Sequence, residues 1–340
     1  GGGIGPGYRV IGGYDFINDN PLPEDVYGSG TVSASIIGAI ANNSAGALGV
    51  MWNVRFLDCK VFHNEQRIAN SFSVASGILY AIKQSANIIQ LNTVQLQSET
   101  DNIVLDALSQ ARAMGMPVIT RAGNDSAETV NYPCFYGNTI CVGATNLAGN
   151  PDAVGSNKGG QVIVSAPAVG VAAYIGDTYG LFNSGIISAA YVTGLCGLLQ
   201  ALRYRLSPDT LEEVLRSTAD DVWVVGLDSG TGSGQVNYLK AVQKVQNMYA
   251  PEALESTVPM PNPFIIGRVP YVTFSIPDGL SSAGMSVQIT DLSGMKVRSL
   301  SGTNKWDGKN DNGQGVASGI YFYKMSCDAG ESSGRLTLVR

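Results

Sequence analysis

The stretch from Ser184 to Leu202, SGIISAAYVTGLCGLLQAL, constrains the fold more than any other part of the sequence. Small residues alternate in it with isoleucine, valine and leucine, and the first charged residue beyond it is Arg203. A helix that is apolar on nearly every face lies inside a large domain rather than on its surface. We therefore predict that residues 184–202 form a buried helix and that a large domain packs around it.

Short apolar runs alternate with helical patterns along the chain before this helix. That order is typical of a parallel sheet with helices on both faces, and we predict this α/β fold class for residues 1–248. Beyond the buried helix, Ser207 and Pro208 mark the start of a further helix, as its N-cap and its first-turn residue. The predicted strands lie within 9–16, 56–62, 87–92, 117–124, 139–145 and 162–167, and the predicted helices within 34–41, 72–86, 102–115, 207–219 and 232–245.

The composition changes near Tyr249. Residues 249–263 are rich in proline, and we predict a linker at 249–257. In residues 258–340 helical periodicity disappears, and short alternating strands are separated by Gly, Ser, Asn and Asp. This pattern favours an all-β sandwich of the immunoglobulin type. We therefore predict an α/β domain (1–248), a linker (249–257) and a C-terminal all-β domain (258–340).

Two motifs in the first domain resemble those of the subtilisin-like serine proteases, or subtilases. The segment SGIISAAYVTG (184–194) resembles their nucleophile segment G-T-S-M-A-A-P-H-V-A-G, and GSGTVSAS (28–35) resembles their segment G-H-G-T-H-V-A-G. Asn124, in RAGND, matches the asparagine of their oxyanion hole, whose side chain donates to the developing oxyanion. The resemblance covers about residues 1–248 and implies a subtilisin-like fold.

The matching positions do not carry the residues of a protease. Ile186 stands at the position of the nucleophilic serine, and Ser29 stands at that of the catalytic histidine. Proteases of this kind need a nucleophile, a base within hydrogen-bond reach and a carboxylate that orients the base. The strand that bears the aspartate would precede Gly1, and the single histidine of the chain, His63, is away from the expected place. The resemblance therefore implies a catalytically degenerate pseudoprotease, with an active serine protease of unusual residues as an alternative.

The loop ANNSAGA (41–47) resembles a calcium loop of the same family. There the ion is bound by one asparagine side chain and several backbone carbonyls, which suit a hard cation. The matching positions are Asn43 by its side chain and Ala41, Ala45 and Ala47 by their carbonyls. Calcium is the one cofactor that the resemblance implies.

Two cysteines frame the segment CFYGNTIC. Cys134 and Cys141 flank the turn residues Gly137 and Asn138, so that two short strands closed by the turn would bring the sulfurs within bonding range. A disulfide indicates an oxidising compartment. The segments NPF, ITDLSGMKVRSL and WDGKNDNGQGVASGIYFYKM of the second domain resemble the C-terminal immunoglobulin-like modules of bacterial exported proteins, many of which serve sorting or surface attachment. We therefore expect the protein outside the cell or on a bacterial cell surface.

The charge pattern limits the partners of the chain. The net charge is −6 and there is no basic run, so nucleic acid, which is bound by clustered Lys and Arg, is not expected. No run of about 18 consecutive apolar residues predicts a membrane span. Charged residues make up only 14% of the chain, which weakens repulsion between copies and favours a homo-oligomer or a fibre.

These observations predict a structural role, as a self-assembling subunit of a cell-surface or extracellular, filament-like assembly. The alternative from another class is a surface module that binds peptides or glycans in the old protease cleft. In the family, the aspartate-bearing strand lies between strands that correspond to 56–62 and 87–92. We therefore expect an N-terminal fragment or a neighbouring subunit to supply this strand.

Overall fold

The computed structural model describes most of the chain, namely residues 9–44, 46–62, 69–92, 102–176, 178–203, 206–248, 259–274, 285–327 and 330–340, with the side chains of 327 and 330–332 left aside. The chain divides into two compact units, Gly1–Met248 and Tyr249–Arg340. The residues predicted as a linker, 249–257, lie outside the described residues.

The first unit is an α/β domain in which strands and helices alternate. Its strands are β1 (Val10–Asp15), β2 (Phe56–Lys60), β3 (Ile89–Leu91), β4 (Val118–Arg121), β5 (Ile140–Thr145), β6 (Val162–Pro167), β7 (Val169–Tyr174) and β8 (Thr178–Asn183). Its helices are α1 (Ser29–Gly38), α2 (Ser71–Lys83), α3 (Asn102–Ala113), α4 (Gly185–Leu202), α5 (Pro208–Thr218) and α6 (Tyr238–Met248). The predicted fold class is thus confirmed.

The parallel strands form two separate ladders. β1 pairs with β2, and β3, β4, β5 and β6 form a four-stranded sheet in that order. Strands β4 and β5 are buried at every residue, as expected for parallel strands covered by helices on both faces. Within the described residues no ladder joins β2 to β3.

Helix α4 is the predicted core helix. It packs against β4, β5 and β6 on one side and against α1 and α6 on others. Ser184 caps it, because its hydroxyl oxygen accepts the backbone N–H of Ile186 at 3.3 Å. Of the described helices, α4 alone has the length and hydropathy of a membrane span, 18 residues with a mean hydropathy of 1.6, but 72% of it is buried inside the domain. That degree of burial is the mark of a core helix.

Two local predictions need correction. The helix expected at 34–41 begins at Ser29 and ends at Gly38. Asp25 explains the early start, because its carboxylate accepts the backbone N–H groups of Gly28 and Thr31, each at 2.7 Å. The antiparallel hairpin β7–β8 was not predicted. Four of the six residues of β8 are exposed, and small residues interrupt both strands, so the alternation of apolar and polar residues is weak there.

The disulfide between Cys134 and Cys141 is present, with 5.2 Å between the two Cα atoms. Its local setting differs from the expected hairpin. Cys134 begins a short 3₁₀ turn that ends at Tyr136, and Cys141 lies in β5. The bridge therefore ties a turn to the central sheet.

The second unit is all-β. Its strands are β9 (Phe264–Ile265), β10 (Val272–Thr273), β11 (Ser286–Thr290), β12 (Lys296–Ser301), β13 (Lys305–Trp306), β14 (Gly319–Cys327) and β15 (Gly330–Val339). They form a five-stranded sheet in the order β12-β11-β14-β15-β9 and a two-stranded sheet of β10 and β13. Phe264, Phe274 and Trp306 are fully buried in its core. The immunoglobulin type of sandwich stays a prediction.

We expect a protein that comprises residues 259–340 to unfold cooperatively in urea, because its core is built from its own residues. The chain has three tryptophans, and Trp306 is the one in this segment, so its fluorescence reports the transition. Leu300→Ala should lower the free energy of unfolding by about 2–5 kcal/mol, since Leu300 is buried. Leu292→Ala is the matched control at an exposed leucine and should change it by less than about 0.5 kcal/mol. A gradual, non-cooperative change in fluorescence would contradict an independent second domain.

Candidate active site

Ile186, the residue that the motif resemblance predicts for the position of the protease nucleophile, lies in the first turn of α4. It is half-buried and directly follows Gly185 and the capping residue Ser184. An aliphatic side chain has no lone pair and no acidic proton, so it neither attacks a carbonyl nor donates to one. The serine two residues further on, Ser188, is fully buried, and its hydroxyl has no hydrogen-bond partner among the described residues.

Asn124 follows β4 and reaches the N-terminus of α4. Its side-chain oxygen accepts the backbone N–H of Gly185 at 3.1 Å. Asn124 thereby satisfies one of the N–H groups that the first turn of a helix leaves without an intrahelical partner. The two family positions at 124 and 186 are therefore brought together, and the bond that Asn124 makes holds the end of the helix.

Ser29, at the position of the catalytic histidine, is the first residue of α1. Helix α1 packs against α4. The backbone oxygen of Ser29 accepts the side-chain amide of Asn92 at 3.4 Å, and the same amide donates to Ser33 at 2.7 Å. A serine hydroxyl does not take up a proton near neutral pH, so this position supplies no general base. His63 lies outside the described residues.

Arg121, the last residue of β4, was not predicted as a site residue. Its side chain is only 8% exposed, and its Nε has no hydrogen-bond partner. A Cβ atom placed on Gly185 would lie 3.6 Å from Cδ of Arg121 and 3.3 Å from Oδ1 of Asn124. Burial lowers the pKa of Arg121, while Asp125 and Tyr27 act in the opposite direction. A charged residue directly after the apolar run of β4 was the available sequence signal.

Calcium binding at the loop 41–47 stays a prediction. Members of this family commonly bind calcium. The side chain of Asn43 is exposed, and Ala45 lies outside the described residues. The described part of the chain contains no group of three or more acidic, histidine or cysteine side chains that could hold a metal ion, but the expected ligands at Ala41, Asn43 and Ala47 are carbonyl and amide oxygens.

The sequence matches the subtilase family (Peptidase_S8) over residues 8–234. The chain belongs to the subtilase family. It is 32% identical over 241 residues to thermitase of Thermoactinomyces vulgaris, a match that covers 69% of this chain and 82% of thermitase. It is 31% identical over 234 residues to subtilisin BL of Lederbergia lenta, covering 68% of this chain and 84% of that protein.

Solved structures agree on the fold. A protease from Pseudoalteromonas arctica superposes with a TM-score of 0.62 at 20% identity, covering 70% of this chain and 84% of that chain. At this identity the likeness concerns the fold alone. The subtilase match stops at residue 234, before the second unit begins.

We expect Asn124→Ala to lower the free energy of unfolding by about 1 kcal/mol, because it removes the acceptor for the N–H of Gly185. Asn124→Asp keeps an acceptor and adds a negative charge near the positive end of α4, so it should leave stability unchanged or raise it. Urea unfolding of the two variants at pH 7 measures the difference. Equal losses in both would show that the side-chain oxygen of Asn124 does not stabilise the helix end.

Proposed function

We propose that this subtilase-family chain does not hydrolyse peptides and serves as a structural subunit of an extracellular or bacterial cell-surface assembly. The observation that carries the proposal is the isoleucine at position 186, in the first turn of α4. Subtilase relatives that are named as proteases, such as thermitase and subtilisin BL, set the opposite expectation. The residues of this chain argue against assigning the protease activity of those relatives to it.

The loss concerns two members of the catalytic set. Ile186 offers no nucleophilic atom, and Ser29 offers no base. In subtilases the members of the triad act as a unit, and removing the nucleophile or the base lowers kcat by about 10⁶. The frame around them is intact, since Asn124 still bonds to Gly185. A retained frame without its reactive groups supports a role other than catalysis.

Assembly is supported by the edge that β2 presents. In a parallel ladder, successive residues direct their backbone groups to opposite edges. The N–H of Phe56 donates to the carbonyl of Arg9 beside β1 at 2.7 Å. The backbone groups of Leu57 and Cys59 therefore point away from β1.

The facing edge belongs to β3. The N–H of Ile89 donates to the carbonyl of Pro117 before β4 at 3.0 Å, so the backbone groups of Gln90 point away from β4. A cavity of about 1110 Å³ lies between the two edges and is lined by both strands. Residues of α1, α2 and α4 also line it, among them Ala34, Ile78 and Gly197.

An extended segment between β2 and β3 would join the two ladders into one parallel sheet. Each buried N–H or C=O without a partner costs roughly 1–3 kcal/mol, and several such groups weigh heavily against a total stability of about 5–15 kcal/mol. The apolar walls suit small and apolar side chains on both faces of the segment. We propose that an N-terminal fragment that stays bound, or a neighbouring subunit, supplies it by strand addition.

The location outside the cell has two supports. The disulfide between Cys134 and Cys141 is typical of an oxidising compartment, and the homologous subtilisins are secreted. The low charge content, 14%, is compatible with close contact between copies. Within the assembly, the proposed immunoglobulin-like second domain would serve sorting or surface attachment.

We expect the protein to leave casein intact and to resist labelling by a fluorophosphonate, since neither the nucleophile nor the base is present. Gel fluorescence and mass spectrometry of casein measure both, with subtilisin BL as the positive control. Ile186→Ser restores the hydroxyl but not the base, and it should also remain unlabelled. A serine of the unmodified chain that reacts with the probe would instead favour an active protease of unusual residues.

We expect a strand in the cavity to shield Cys59, which lines it. Burial and the nearby Asp58 raise the pKa of Cys59 to about 12, so alkylation is slow and is compared as a rate by peptide mapping. The rate should fall as concentration rises if a neighbouring subunit supplies the strand. Cys196, buried in α4, is the internal control and should not change.

If a neighbouring subunit supplies the strand, electron microscopy should show ordered polymers. If an N-terminal fragment supplies it, native mass spectrometry should reveal the retained fragment. Ala34→Phe narrows the cavity and should reduce assembly, whereas Ala113→Phe, on the exposed side of α3, should not. Dispersed monomers at every concentration, without a second component and with Cys59 reacting at one rate, would contradict strand addition.

A further inference from the structure

Arg121 is a buried cation with no ion-pair partner among the residues that the structure describes. It is only 8% exposed, and its Nε has no hydrogen-bond partner in the same part of the chain. Among the described residues no carboxylate lies within ion-pair distance of its guanidinium. A buried charge is ordinarily paired, because its removal from water is otherwise uncompensated. The arrangement is therefore unfavourable for the chain on its own.

The nearest acidic group is already engaged. Asp125 raises the pKa of Arg121 by its charge, but its carboxylate accepts the side-chain amide of Asn131 at 2.9 Å and that of Asn157 at 3.4 Å. Asp125 lies at an exposed position and forms no ion pair with Arg121 within the described part of the chain, so its charge compensates the guanidinium only from a distance.

The N-terminus of α4, which lies beside Arg121, also attracts anions. The positive end of α4, an 18-residue helix, begins at Gly185, and helix N-termini stabilise negative charge. The side chain of Arg121 passes beside this residue, with Cδ 3.6 Å from a Cβ built on Gly185. The positive end of α4 and the side chain of Arg121 therefore lie side by side at Gly185.

The polar groups around this point leave donors for a ligand. Gly185 and Ile186 already give their N–H groups to Asn124 and Ser184. The amide nitrogen of Asn124 forms no hydrogen bond with the described residues, and neither does the guanidinium of Arg121. A ligand here would be met by N–H donors from both side chains, and it would need acceptor oxygens and a negative charge.

We infer that Arg121, together with Asn124 and the N-terminus of α4, forms a binding site for a carboxylate group of a peptide. A guanidinium presents two parallel N–H donors that match the two oxygens of a carboxylate. The peptide context rests on the proposed function in one respect, namely that the chain does not hydrolyse peptides. The negative charge of the ligand is inferred from the positive charge of Arg121, and this inference does not depend on assembly.

The test uses three peptides that differ only in their carboxylates. They are Ac-Ala-Ala-Glu-NH₂, its neutral isostere Ac-Ala-Ala-Gln-NH₂, and Ac-Ala-Ala-Ala with a free C-terminus. By calorimetry, one of the two acidic peptides should bind about ten- to a hundredfold more tightly than the glutamine peptide. Tighter binding of the glutamate peptide identifies an acidic side chain as the ligand, and tighter binding of the other identifies a chain terminus.

Arg121→Met removes the charge and keeps the volume of the stem, so it should abolish this preference. Without peptide, its melting temperature should equal or exceed that of the parent, because an unpaired buried cation has been removed. Arg298→Met is the matched control, since Nε of Arg298 is also buried without a partner, while its Nη1 donates to Asn310 at 2.7 Å. Arg298→Met should leave the preference for the acidic peptide unchanged.

Equal binding of all three peptides by the parent protein would overturn the inference, and so would a preference that survives in Arg121→Met. If that variant does not fold, Arg121→Lys decides, because it keeps the charge without the paired donors and should reduce the preference. An undiminished preference in the lysine variant counts against the guanidinium site. Mass spectrometry of the recovered peptides separates the two proposals, since cleavage would refute the loss of activity while leaving the binding result intact.

Discussion

The first turn of α4 is the constraint on which the first domain depends. Its exposed N–H groups must be satisfied before the apolar helix can be buried, and Ser184 and Asn124 do this from two different elements. Asn124 stands at the end of β4, so its bond to Gly185 also fixes the helix against the sheet. Ile186, which the motif resemblance predicts at the nucleophile position, lies in the same turn, but its aliphatic side chain forms no hydrogen bond in this anchoring. The anchoring therefore does not depend on which side chain stands at position 186.

The interrupted sheet follows from the same architecture. Parallel strands buried on both faces have no solvent to satisfy their edges, so every internal edge needs a neighbouring strand. Strands β4 and β5 meet this requirement on both sides, whereas β2 and β3 meet it on one side among the described residues. Helices α1, α2 and α4 hold the two edges at the cavity between them. The proposed strand addition thus rests on backbone geometry rather than on any particular side chain.

Elements defined by their own sequence were predictable. The apolar content of α4 and the Ser207–Pro208 start of α5 placed both helices, and Ser207 indeed accepts the N–H of Thr210 at 3.1 Å. Features that depend on distant residues were not. The start of α1 depends on a carboxylate that precedes the helix, at Asp25, and the β7–β8 hairpin owes its place to packing against α1. The disulfide was found from spacing, but its supporting turn was not.

Arg121 could not be predicted from the family motifs. Position 121 is not one of the residues that those motifs compare, and the burial of its charge is known only from the structure. A charge of about half a unit at the start of a helix and a full guanidinium charge repel each other in a setting of reduced dielectric constant, where Coulomb energies exceed those in water. The aliphatic side chain of Ile186 does not relieve that repulsion, because it brings no negative charge. The carboxylate of a peptide, as proposed above, would relieve it at the N-terminus of α4.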